Sequence, residues 1–279
     1  MRLLLVLCAL SAAPAFGSIS VRDDYGSEVV LQAAAQRIVS LSPHLTELLY
    51  AAGAGSRVVG AVEYSDYPAQ ARSLPRVGAE AGIDLEAVLA LRPDLVVAWP
   101  NAGSLRVVNR LAELGLPVFR SEPRALEDIA RTLERLGALA GSHEAARAAA
   151  QAFRARRAEL ERRYSKRPQV RVFYQVWDRP LQTVNGDHVI SKVIELCGGE
   201  NVFAGLPLIA PEVDREALLR ANPDVIITSG PAASLPPGLS AWKERVRSVP
   251  AELIQRHTPR ILEGAARVCS ILEAARTTR

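Results

Sequence analysis

The 279-residue chain lacks the short signatures that mark most enzymes. It has no GxSxG, no GxGxxG after a strand, no Walker loop and no HExxH. Histidine is scarce, and His44, His143, His188 and His257 are scattered along the chain. A zinc centre would need three of them to converge, which spacing alone does not exclude. His44 and His188 follow strands, within reach of a cleft, but their plainer role is loop or helix-start hydrogen bonding. No five like charges run together, and the net charge of +4 is spread over interspersed acids and bases. That pattern argues against a nucleic-acid-binding face. No apolar run approaches the roughly 20 residues a membrane span needs. Aromatic residues make up only 5% of the chain, so where they fall carries information.

Cysteine is almost absent too. Cys8 lies in an N-terminal stretch, MRLLLVLCALSAAPAFGS, with a charged start at Arg2, a short apolar core and small residues near Gly17. This pattern predicts a secretory signal peptide over residues 1–17 and an exported protein. Cys8 sits too early, behind Leu7 rather than a small residue, for a lipid-anchored cysteine. Cys197 and Cys269 remain, either as a disulfide, which export favours, or as two buried thiols. A bridge between them would contribute roughly 3–4.7 kcal/mol in the loop-entropy model.

What is present is an internal repeat. Asp84–Pro100 (DLEAVLALRPDLVVAWP) recurs as Asp214–Gly230 (DREALLRANPDVIITSG) at a constant offset of 130 positions. Each copy reads as a helix, a Pro-Asp turn and a buried strand. A second echo pairs Gly53–Gly60 (GAGSRVVG) with Gly198–Gly205 (GGENVFAG). Apolar strands alternate with helical patterns on both sides, which implies parallel sheets with covered faces. The expected fold is α/β, with two similar lobes whose parallel-type sheets are joined by one long α-helix. Residues 18–35 form an N-terminal arm with hairpin alternation, 36–141 lobe 1, 142–166 the connecting helix and 167–279 lobe 2. Ser142 is placed as the N-cap of that helix. Its apolar face is read as Ala145, Ala149, Ala152, Phe153, Leu160 and Tyr164. At about 23 residues it would span about 35 Å.

In open α/β sheets ligands sit beyond the carboxyl ends of the strands. Tyr64, Trp99 and Trp177 fall there, and flat aromatic side chains suit a bulky, partly apolar ligand. The competing reading is that each packs in the core. Glu86 and Glu216 occupy equivalent places in the two repeat helices. Helix-dipole stabilisation explains acids there, yet one carboxylate per lobe would also suit a two-fold-symmetric partner bearing arginines.

RIVSLSPHLTELLYAA (37–52), YSDYP (64–68), the first repeat unit, CGGENVF (197–203), VDRE (213–216) and TPR (258–260) together resemble the periplasmic vitamin B12 (cobalamin)-binding proteins of ABC importers. The likeness runs from about residue 36 to the end. It implies a non-enzymatic periplasmic protein with no cofactor of its own. Cobalamin or a related corrinoid would be held between the lobes by Tyr64, Trp99, the loop around Trp177 and the segment Glu252, Leu253, Ile254, Gln255 and Arg256. No protein ligand to the cobalt is required, and no metal site is expected. It further implies that Cys197 pairs with Cys269, and that Glu86 and Glu216 meet a permease dimer with its ATPase subunits. The chain departs from the family by lacking tryptophans near Glu80 and at Ala210, by reading Glu252-Leu253-Ile254 in place of Asp-Trp-Phe, and by a short segment between Trp242 and Glu252. A related corrinoid such as cobinamide is therefore also an expected ligand. The rival readings are a haem- or ferric-siderophore-binding relative and an exported enzyme on the same fold.

Overall fold

The computed structural model describes residues 18–79, 82–101, 103–229 and 240–277. The expected signal peptide and Glu80 lie outside the described residues. The arm is the expected hairpin, β1 (Ile19–Arg22) against β2 (Glu28–Leu31). Lobe 1 then runs β3 (Ile38–Ser40), α1 (Pro43–Ala51), β4 (Val58–Ala61), a two-residue pair β5 (Gly78–Ala79) and β6 (Gly82–Ile83), α2 (Leu85–Ala90), β7 (Leu95–Ala98), α3 (Leu105–Glu113), β8 (Val118–Arg120) and α4 (Leu126–Ala140). The connecting helix is α5 (His143–Tyr164). Lobe 2 follows as β9 (Val170–Gln175), a small hairpin β10 (Trp177–Asp178) and β11 (Leu181–Gln182), α6 (Val189–Leu196), β12 (Gly199–Asn201), α7 (Arg215–Ala221), β13 (Val225–Thr228), β14 (Val246–Ser248), α8 (Ala251–Ile254) and α9 (Ile261–Thr277).

Each lobe has a four-stranded sheet with every pair parallel. The orders are β4-β3-β7-β8 and β12-β9-β13-β14. The repeat's strands, LVVA and VIIT, are buried along their whole length, as central strands covered on both faces must be. They take the same place in the two sheets. The second echo marks the equivalent edges, although its strands fall at different points: β4 uses apolar residues, whereas β12 is built on Gly-Glu-Asn.

The repeated polar residues have a shared job. Asp84 and Asp214 cap α2 and α7 by accepting from the Ala87 and Ala217 backbone N–H groups. Arg92 and Asn222 end those helices in the left-handed region, at φ +44° and +39°. The carboxylate of Asp94 accepts from the Gln36 and Arg37 amides, and Arg37 donates back to the Leu91 carbonyl. Asp224, Arg171 and Ala221 repeat this in lobe 2. Each Pro-Asp turn thus pins the start of the neighbouring central strand.

One hydrophobic core runs through both lobes, joining β3, β7, α1 and α4 on one side to β9, β13, α6 and α9 on the other through α5. Two smaller clusters lie under α2 and α3 in lobe 1 and under α7 in lobe 2. The connecting helix has 22 residues and no side-chain cap; the Ser142 hydroxyl instead donates to the Ala52 carbonyl at 2.6 Å. Its buried alanines are Ala146 and Ala150, whereas the reading of Ala145 and Ala152 is out of phase. Gly137 explains the phase: a Cβ there would lie 2.1 Å from that of Ala146, so α4 and α5 meet at the glycine. The disulfide between Cys197 and Cys269 is formed, tying the end of α6 to α9.

Candidate functional site

The carboxyl ends of the two sheets meet across a seam, and the motifs that suggested a family interlock there. After β3 the chain reads Ser42-Pro43-His44, with Pro43 opening α1. The Thr46 hydroxyl joins a buried hydrogen-bonded network with Ser40 Oγ (2.9 Å) and Ser65 Oγ (3.1 Å), fixing the turn that carries Tyr64. Glu47, on the same helix and nearly inaccessible, takes a two-pronged ion pair from Arg260 of lobe 2 at 2.8 and 2.9 Å. The Arg260 guanidinium also lies 3.8 Å from the Tyr67 ring centroid. Four residues earlier, Arg256 reaches the Asp66 carboxylate (2.7 Å) and the Tyr64 carbonyl (3.1 Å). Hydrogen bonding to Arg256 holds the Asp66 carboxyl below its ordinary range against the opposing effect of burial. The segments 43–47, 64–67 and 256–260 are therefore one contact.

Beside it opens a cavity of 530 Å³ between the lobes, lined by Asp66, Tyr67, Arg72, Glu252, Gln255 and Arg256 among others. Of the expected site residues, Tyr64 stands 77% exposed on a left-handed backbone (φ +62°), and Trp177 stands 61% exposed on the β10–β11 hairpin. Trp99 is half-buried, packs on the main core and meets His44 edge-on at 5.7 Å. Glu252, Gln255 and Arg256 face the cavity, with Gln255 donating to Ser229 Oγ at 2.7 Å. Leu253 and Ile254 of the expected set are buried. α8 is one amphipathic turn, and these two side chains are its buried face, so they support the segment rather than line the cleft. Ala210 is exposed, and its carbonyl accepts from Gln182. Glu86 and Glu216 are exposed on α2 and α7.

Sequence spacing missed the convergence of three histidines. His44 from lobe 1, with His188 and His257 from lobe 2, cluster at the seam, the His257 ring centroid lying 6.1 Å from His44 and 5.7 Å from His188. Nothing local in the sequence announces this; the nearest hint is that His44 and His188 follow strands and His257 adjoins Arg256. His188 does serve its expected helix-start role, Nδ1 accepting from the Ile190 amide as the N-cap of α6. Burial pushes His44 and His188 down to about 4, Arg256 adding to the effect on His44, and burial with the other two imidazoles pushes His257 down to about 3. All three are neutral at pH 7. Among the described residues, no three His, Cys, Asp or Glu side chains are arranged to hold a metal ion.

Two lobes on one stiff helix, a shared core and exposed aromatics beside the cleft define a ligand-binding protein. The chain belongs to the periplasmic binding protein family, whose model matches residues 38–258. It is 37% identical to the vitamin B12-binding protein of Vibrio cholerae serotype O1 over 249 residues, covering 86% of this chain and 90% of that one. It is 38% identical to the vitamin B12-binding protein of Yersinia pestis over 240 residues, 85% of this chain and 86% of the relative. Among solved structures, the periplasmic vitamin B12 binding protein BtuF of Vibrio cholerae superposes with a TM-score of 0.80 at 37% identity, over 87% of this chain and 98% of that one. The periplasmic heme-binding protein RhuT from Roseiflexus matches with a TM-score of 0.75 at 22% identity over 87% and 99%, which is likeness of fold alone.

Proposed function

We propose that this protein captures vitamin B12, or a related corrinoid such as cobinamide, between its lobes in the periplasm and delivers it to the permease of an ABC importer. The observation that carries the ligand assignment is the 37% identity to a vitamin B12-binding protein across 86% of the chain. The exposed aromatics support the location. A corrin is broad and nearly flat, and fringed with amides. Tyr64, Trp99 and Trp177 offer flat faces of low conformational-entropy cost, while Gln255 and Arg256 offer hydrogen-bond donors beside them. Glu252 lines the same cavity. The ligand is larger than the cavity and would extend along these aromatics. Capture then depends on shape and stacking over a preformed cleft, with the shared core limiting lobe movement.

The test is calorimetry of the purified mature protein with cobalamin, cobinamide and haem. Micromolar or tighter corrinoid binding with none for haem is expected. Absence of corrinoid binding, or preference for haem, would overturn the assignment. Trp99→Ala should weaken corrinoid binding by about 1–3 kcal/mol, the range of an aromatic contact with its buried area, and an unchanged affinity would return Trp99 to a purely core role.

A further inference from the structure

We propose that Arg72 is a phosphodiester-reading residue in the cavity between the lobes, and that it makes the protein prefer corrinoids with a nucleotide loop over cobinamide, which has none. The inference rests on the corrinoid reading above and adds a specificity to it. Three guanidinium groups line the cavity, those of Arg72, Arg256 and Arg260. Two of them are neutralised. Arg256 pairs with Asp66 at 2.7 Å, and Arg260 holds both oxygens of Glu47 at 2.8 and 2.9 Å. Arg72 is exposed and pairs with no carboxylate among the described residues; its Nε donates only to the Asp66 backbone carbonyl, at 3.2 Å. A backbone carbonyl accepts a hydrogen bond but does not cancel a charge. The cavity therefore offers one cation with its two terminal nitrogens still open to a ligand.

The backbone that carries this cation is fixed. Arg72 belongs to a single 3-10 turn, Ala69–Ser73. Arg76 donates to the carbonyls of Val62 (3.3 Å), Ser65 (3.1 Å) and Arg72 itself (3.4 Å), which ties the turn to the loop bearing Tyr64 and Asp66. The neighbouring acids do not occupy Arg72. Asp66 feels its charge, which helps to hold that carboxyl below its ordinary range, but the Asp66 carboxylate is bonded to Arg256. Glu252, the other cavity-lining acid, lies on α8 of lobe 2. Its carboxylate suits the N–H groups of the amides that fringe a corrin.

The ligand chemistry supplies the matching group. The amides around a corrin are neutral. The nucleotide loop of cobalamin adds a phosphodiester, the one fixed negative charge on its periphery, whereas cobinamide stops at an alcohol. A guanidinium presents parallel N–H donors that fit two phosphate oxygens at once. Pairing an unneutralised guanidinium with that phosphodiester favours the complete ligand and leaves the corrin contacts alone. Arg72 is exposed, so solvent screens the pair and limits its effect to about 5- to 20-fold in affinity.

The test is calorimetric titration of the parent protein, Arg72→Gln and Arg72→Lys with cobalamin and with cobinamide. The parent should prefer cobalamin. Arg72→Gln should weaken cobalamin binding by about 5- to 20-fold while moving cobinamide by less than about twofold. Arg72→Lys loses the same bond to the Asp66 carbonyl but keeps the charge, so it should retain most of the preference; this separates the charge from any role in the turn. Raising salt from about 0.05 to about 0.5 M should shrink the preference in the parent and leave Arg72→Gln unaffected. An equal loss for both corrinoids in Arg72→Gln, no loss for either, or a preference that ignores salt would overturn the subsite and leave the ligand assignment standing. A parent protein that binds neither corrinoid would overturn the ligand assignment and the subsite with it.

Discussion

Tyr64 is a residue at odds with its backbone. A side chain at φ +62° costs about 1–2 kcal/mol relative to a right-handed conformation, and at 77% exposure it gains little packing in return. The turn is held from both sides, by Thr46 through Ser65 and by Arg256 on the Tyr64 carbonyl. Strain held in this way, with an exposed aromatic as its product, fits a ligand contact better than a folding element. Tyr64→Gly separates the two roles. Glycine relieves the strain but adds about 0.4–1 kcal/mol of unfolded-state entropy. The net expectation is stability raised by roughly 0.5–1 kcal/mol in urea denaturation, with corrinoid affinity reduced. A variant that is both destabilised and unimpaired in binding would show that Tyr64 belongs to the fold.

At the scale of elements, lobe 2 is held by two different devices: the core that α6 and α9 share, and the covalent tie between them. The residues Cys197 and Cys269 are 72 positions apart, so the bond removes about 4 kcal/mol of loop entropy from the unfolded chain. Cys197→Ala, Cys269→Ala should lower the urea unfolding free energy by roughly that amount, with the parent protein under reducing conditions losing a similar amount. A loss below about 1 kcal/mol would mean that the reduced chain is already constrained in its unfolded state. The elements that were legible beforehand are those whose signal is local. The α2–β7 and α7–β13 units repeat because the same caps, turns and strand pins recur in each. β12 was not legible because an edge strand on Gly-Glu-Asn has neither alternation nor an apolar run. The two-residue hairpins β5–β6 and β10–β11 are too short to leave a pattern. The alanine face of α5 was misphased because alanine tolerates either environment, and the deciding residue, Gly137, lies on another helix. The candidate aromatics could be chosen from strand ends, whereas the histidine cluster depends on three loops meeting and has no local trace.

At the scale of the whole molecule, the core that passes through α5 makes the two lobes one body with a seam on its cleft side. That body presents α2 and α7 as a related pair, each with an aspartate cap and an exposed glutamate in its first turn. The equivalence holds at Glu86 and Glu216 but fails 13 positions on, where Trp99 corresponds to Ser229. The two copies therefore differ at the strand ends and agree at the exposed helix starts. A permease built from two like halves would meet the same group twice, which is the ground on which we propose a docking role for Glu86 and Glu216. Glu216 has a weak exposed contact to Arg215 at 3.5 Å, which a stronger partner would displace. Neither carboxylate lines the cavity between the lobes, so Glu86→Ala, Glu216→Ala should leave corrinoid affinity unchanged by calorimetry. Loss of two charge-assisted contacts should weaken binding to the reconstituted permease by at least about 2 kcal/mol, roughly 30-fold. Each single change should give a smaller loss, and added salt should narrow the gap between parent and variants. Permease binding that is undiminished in the double variant, with the ligand site intact, would reject the symmetric contact while leaving the ligand assignment standing.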